Sequence, residues 1–183
     1  MDYISSAPEL EIWIKVYAVA MYITPTVLLN AVSHTSLHSI ARAFDRYPSF
    51  PDPSTRMTSF VLEMVYSASA EKIAGAIAES VKPRYDGAAA DISVLESLIV
   101  AGVNAIGGQA IKGTTFRFDC SKEGVGVSVN GVEQGMAALR GLGSAFVDVF
   151  MDGNSVSPTL IDSCMNTWSS DESNSVAATL RTI

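Results

Sequence analysis

The apolar positions change their spacing along the chain, and each change marks an element. In Glu11–Thr24, "EIWIKVYAVAMYIT", nearly every position is apolar. Nine of the thirteen residues from Ile12 to Thr24 are β-branched or aromatic, which favours a strand over a helix. Alternation puts Ile12, Ile14, Val16 and Ala18 on one face and Trp13, Tyr17, Val19 and Met21 on the other. A strand apolar on both faces is expected in the middle of its sheet. Pro25 ends it. From Val27 to Phe44 the spacing turns helical, with Leu37, Ile40 and Phe44 on one face. The loop Asp45–Arg56 carries three prolines, and Met57–Tyr66 returns to a period of two, with Phe60, Leu62 and Met64 together.

A second helical pattern follows in "SAEKIAGAIAESVKPR". Ser69 is placed to cap it, Glu71 suits its positive end, Ile73, Ile77 and Val81 share a face, and Pro83 stops it. A third helix is predicted over Asp91–Asn104, with Leu95 and Ile99 inward and Gly107–Gly108 as terminators. Then "AIKGTTFRFDC" and "VGVSVNGVE" read as strands, and Asn130–Gly131 between two valines is a tight-turn signal. A helix is predicted over Glu133–Met151, burying Met136, Leu139, Phe146 and Phe150. A short one after Pro158 carries Leu160, Ile161 and Trp168. Strands and helices are segregated in this order, which implies an α+β fold with helices packed on a mainly antiparallel sheet. One domain over residues 1–168 and a polar tail over 169–183 are expected.

Composition narrows the function classes. With 48% hydrophobic and 17% charged residues, the body of the chain belongs among packed globular proteins rather than disordered ones. A net charge of −7 with no basic cluster argues against a nucleic-acid partner, since phosphate binding needs grouped Lys and Arg. The apolar run Ile12–Leu29 approaches the roughly 20 residues of a membrane span, but Lys15 and Pro25 interrupt it, so no span is expected. It also lacks the layout of a signal peptide. Two cysteines give no disulfide framework and suggest a reducing, intracellular compartment.

Local motifs yield no chemistry. His34 and His38 sit four apart on the predicted helix, a spacing that suits zinc, but no third ligand stands at motif spacing, so solvent-facing histidines are expected and no metal. The glycines of "GVGVSVNG" lie in a hairpin and those of "GLGSAF" in a helical pattern after one. Neither is the strand-to-helix turn that binds dinucleotides, and no cofactor is implied. Cys120 and Cys164 have no histidine or basic surroundings to activate them, and no serine sits in a nucleophile elbow.

The run "IKVYAVAMYIT" resembles the early core strand of the chalcone-isomerase superfamily. "SAEKIAGAIAESVKPR" resembles that family's following helix, "IKGTTFRFDCSKEGVGVSVNGVEQG" its hairpin, and "LGSAFVDVFMDGNSVSPTL" its closing helix. The four occur in order between Ile12 and Cys164. The resemblance implies an open-faced β-sandwich, a sheet with one layer of helices and a ligand cleft between them. In the family's enzymes that cleft closes a chalcone to a flavanone by intramolecular addition of a phenolate to an enone. An arginine on an upstream strand serves there as the cation. Counted back from the core strand, this arginine falls near Ser5, and no arginine precedes Arg42. The expectation is that the chain is shortened or that its lineage has lost this strand.

The other functional positions also depart from the enzyme pattern. The family's core-strand threonine matches Tyr17; its tyrosine and asparagine on the next helix match Ser69 and Ala76; its hydroxyl residue on the closing helix matches Val149. A tyrosine for the threonine resembles the non-catalytic, fatty-acid-binding branch, in which it helps to hold a carboxylate. The resemblance therefore implies a protein that binds a fatty acid or similar apolar acid. Tyr17 would be its hydrogen-bond donor, and Lys15, on the same side of the strand, its substitute cation. The alternative for Lys15 is an ammonium that reaches out to solvent. Two other readings stay open. One is an active intramolecular lyase, with Lys15 or Arg117 as its cation and a flavonoid-like substrate. The other is a ligandless auxiliary that docks on a protein partner. The compartment stays open between cytoplasm and plastid.

Overall fold

The computed structural model describes residues 17–23 and 58–164. Lys15, His34, His38, the helix predicted at Val27–Phe44, the proline-rich loop Asp45–Arg56, Trp168 and the tail lie outside these residues. The described strands are β1 (Tyr17–Ile23), β2 (Thr58–Met64), β3 (Ala68–Ser69), β4 (Gln109–Ala110), β5 (Thr115–Ser121), β6 (Gly124–Val129) and β7 (Val132–Ala137). The helices are α1 (Ala70–Val81), α2 (Ile92–Ala105), α3 (Leu142–Met151) and a last stretch, α4, at 158–164. Among the described residues no helix is long and apolar enough to cross a membrane.

Period-two alternation becomes a five-stranded antiparallel sheet in the order β1-β2-β5-β6-β7. Its register aligns the apolar positions in rows. Met21 pairs with Phe60 and Phe60 with Phe118, and Phe118 faces Val127; Val19, Leu62, Phe116 and Val129 form the next row. All of these point to one face, where the helices lie. There α3 sets Phe146 and Phe150 against Phe60 with ring centroids 5.9 and 4.7 Å apart, and Phe146 lies 4.7 Å from Phe118. Such aromatic clusters combine large burial with favourable ring geometry. The opposite face carries Ser59, Arg117, Asp119 and the exposed Tyr22 and Met136. The molecule is thus an α+β open-faced β-sandwich, with its helices on one side of a mainly antiparallel sheet.

Among the described residues β1 pairs with β2 alone, its odd face packs on the core, and Tyr22 on its even face is 61% exposed. Two expectations are corrected. Residues 132–137 are strand β7, not the first turns of a helix, and α3 begins only at Leu142. The Asn130–Gly131 turn decides this. Both residues take positive φ (49° and 78°), the twist that returns a chain onto its neighbouring strand. Met136 is consequently 46% exposed on the open face, opposite Gly126. Finally, Ser69 occupies the N-cap position of α1 without a side-chain capping bond; its backbone pairs with Gln109 in the small β3–β4 ladder.

Candidate functional site

Where α1 and α3 lie over the β1–β2 end of the sheet, they leave a cleft. Tyr17 and Leu62 contribute from the strands, Ala76, Ile77, Ser80 and Val81 from α1, and Phe146, Val149 and Phe150 from α3. The helical period explains the walls. Residues 76, 77, 80 and 81 make one stripe of α1, and 146, 149 and 150 make one stripe of α3. Tyr17 pairs with Met64 and Val19 with Leu62, so Tyr17 and Leu62 are diagonal neighbours on the same face of the sheet. The cleft's volume is about 70 Å³. One water needs roughly 10–15 Å³ by the same kind of measure, so this is room for a handful of ligand atoms, such as a head group or a chain end.

The wall is hydrocarbon apart from two hydroxyls. Burial alone raises the pKa of Tyr17 above the usual 10.0, so its phenol stays protonated and is a hydrogen-bond donor set in an apolar surface. The Ser80 hydroxyl donates to the Ala76 carbonyl at 2.9 Å, one turn back in α1. This leaves its oxygen lone pairs free to accept.

Three of the four positions matched by resemblance, Tyr17, Ala76 and Val149, come together in this cleft. Ser69 is not among its lining residues, and Lys15 lies outside the described residues. Arg117 belongs elsewhere. It stands on the open face of the sheet, where its Nε donates to Asp119 Oδ1 at 2.8 Å and its Nη2 to Ser59 Oγ at 3.3 Å, while Ser59 Oγ also donates to Asp119. Phe116 and Phe118, its neighbours in β5, point to the helix side, so Arg117 cannot serve the cleft as a cation.

The cysteines are free thiols held protonated by burial, Cys120 well above its usual value and Cys164 more mildly. Sequence reasoning did not single out Ser80, although it stands four residues after Ala76 on the same stripe of α1, and that spacing alone could have revealed it.

No protein-family model matches the chain, and no curated protein sequence matches it. Among solved structures it is similar to a fatty-acid binding protein of Arabidopsis thaliana. The TM-score is 0.53 and the identity 17%, over 76% of this chain and 71% of that one. The likeness is one of fold, and the fold is the chalcone-isomerase-like α+β arrangement of a mainly antiparallel sheet under a layer of helices.

Proposed function

We propose that this chain is a non-catalytic protein of the chalcone-isomerase superfamily that binds a fatty acid, or a similar apolar acid, in the cleft between sheet and helices. The observation that carries this reading is the convergence of Tyr17, Ala76 and Val149 on one apolar cleft whose tyrosine is kept protonated. The likeness to a fatty-acid binding protein supports it. Tyr17 donates to the head group while the ring stays in the wall. Lys15, two residues earlier and on the same side by the strand period, is the cation that an ionised head requires. The lyase reading finds less support: Ala76 and Val149 put methyl groups where that chemistry uses polar ones, and Arg117 is engaged on the other face.

Mass spectrometry of lipid extracted from the native protein, followed by titration with a fluorescent fatty acid, tests the proposal. Co-purified acid and saturable uptake are expected; a clean protein that takes up none would end it. Tyr17→Phe should weaken uptake by about 0.5–1.5 kcal/mol, the worth of one hydrogen bond. Lys15→Met should weaken it further at neutral pH. Unchanged affinity in either variant removes that residue from the site. With a chalcone as substrate, no acceleration over buffer is expected.

A further inference from the structure

The two helical walls of the cleft, α1 and α3, are tied together at their C-terminal ends by one side chain. Arg84 closes the 3-10 turn Lys82–Arg84 that follows α1. Its Nε and Nη2 donate to the two carboxylate oxygens of Asp152 at 2.7 and 3.0 Å, the paired geometry that a guanidinium and a carboxylate favour. Nη2 also donates to the Asn154 carbonyl at 2.9 Å, and Nη1 to the Ser80 carbonyl at 2.7 Å. Ser80 is itself a wall residue, so the guanidinium holds backbone of the cleft on one side and the end of α3 on the other.

Asp152 is the C-cap of α3 and organises the turn beyond it, accepting from the Asn154 amide at 2.9 Å. That turn is fastened to the α3 wall as well. Ser155 Oγ donates to the Phe150 carbonyl at 2.7 Å and the Val156 amide to the Val149 carbonyl at 3.0 Å. The arginine side chain is only 13% exposed and the aspartate 26%, so solvent and salt weaken the pair little. By contrast, the pair Lys82–Glu79 on the outside of α1 is exposed at both ends and restrains nothing beyond its own helix.

We propose that Arg84 is a positioning residue for the cleft: by clasping Asp152 it fixes the separation of α1 and α3, and so the girth of the ligand that can enter between them. This rests on the cleft being the binding site. A loosened clasp lets the C-terminal halves of the two walls part, and it is there that Ser80, Val81, Val149 and Phe150 line the cleft. A slim ligand then loses wall contacts, while a broad one gains admission.

Two acids of different girth, octanoate and 2-naphthoate, are titrated against the parent protein, Asp152→Asn and Arg84→Lys. Asp152→Asn keeps the acceptor for the Asn154 amide but removes the charge; Arg84→Lys keeps the charge but cannot make the paired bonds. In both variants the ratio of affinities should shift towards the naphthoate by about tenfold. A change that only lowers stability reduces both affinities alike, so an unchanged ratio in both variants overturns the proposal. Hydrogen exchange is measured on the same proteins without ligand. Amides of residues 80–85 and 152–157 should exchange faster while those of the β6–β7 hairpin do not, and unaltered exchange in those two segments also overturns it. Should neither acid bind the parent, the reading of the cleft fails, and the exchange result still judges the clasp on its own.

Discussion

The helix layer treats the two ends of the sheet differently. Over β6 and β7, α2 lies close: Leu95, Ile99 and Val103 are fully buried, and Gly102 approaches the sheet so nearly that a Cβ there would stand 2.4 Å from a methyl of Val129. Over β1 and β2, α1 presents Ala76, exposed at the cleft. Small residues thus serve opposite ends. In α2 a missing side chain lets two surfaces touch; in α1 the short side chain of Ala76 leaves space unfilled. Dense packing leaves no partnerless hydrocarbon and nothing for a ligand to fill, so the incompletely packed end is where binding is expected.

The strongest way to break this contrast is to truncate a side chain in each half. Ile99→Ala in the sealed half should lower stability by about 2–5 kcal/mol, because it opens a cavity that its neighbours cannot collapse into. Val149→Ala, at a residue that is 3% exposed yet borders the cleft, removes less carbon and should cost about 1–2 kcal/mol. Chemical denaturation of the two variants measures both. Equal losses, corrected for the size of the groups removed, would mean that the cleft is packed as tightly as the rest.

Addition is the gentler test, and α1 permits it within a single helix. Ala78 is fully buried, so Ala78→Leu forces side chains and backbone to shift and should destabilise the fold by about 1–3 kcal/mol. Ala76→Leu places the same carbons in the cleft. Its stability should stay within about 0.5 kcal/mol of the parent, while fatty-acid uptake falls. A stable Ala76→Leu protein with undiminished uptake would move the binding site elsewhere.

The two ends were also unequally legible in the sequence. The sealed half announces itself locally through the alternation in β5 and β6, the Asn130–Gly131 turn and the stripe Leu95–Ile99 of α2. Its one misreading is instructive. "VEQGMAALRG" contains good helix formers with apolar residues at 136 and 139, yet residues 132–137 pair with β6, because the turn delivers them to an unpaired strand. Tertiary pairing overrides local propensity there. At the other end, Tyr17 could be singled out only through resemblance, since one tyrosine in an apolar strand carries no chemical signature. The partnership of Arg84 with Asp152 spans 68 residues and leaves no periodic trace. Contacts of that kind are set by the packing of whole helices and are not written in any local pattern.

Alkaline titration offers the finest comparison, since each half holds an acid that burial keeps neutral. Cys120, fully buried in β5, has its thiol pushed well above the usual 9.0, chiefly by desolvation and further by the charge of Asp119. Tyr17, half-buried at the cleft, is raised above 10.0 by desolvation alone. In both cases the folded protein holds its proton more firmly than the unfolded chain does. Each contribution is therefore complete below the unfolded pKa and is lost as pH rises through the folded one. The stability of the parent should start to fall above about pH 9, where unfolded thiols ionise. Cys120→Val should flatten this decline, whereas Tyr17→Phe should affect only the part above about pH 10, and less strongly. Because Tyr17 is the only one of the two that touches the cleft, uptake by the Cys120→Val protein should follow the parent's pH profile. A profile altered by Cys120→Val would show that the sealed half reaches the cleft after all.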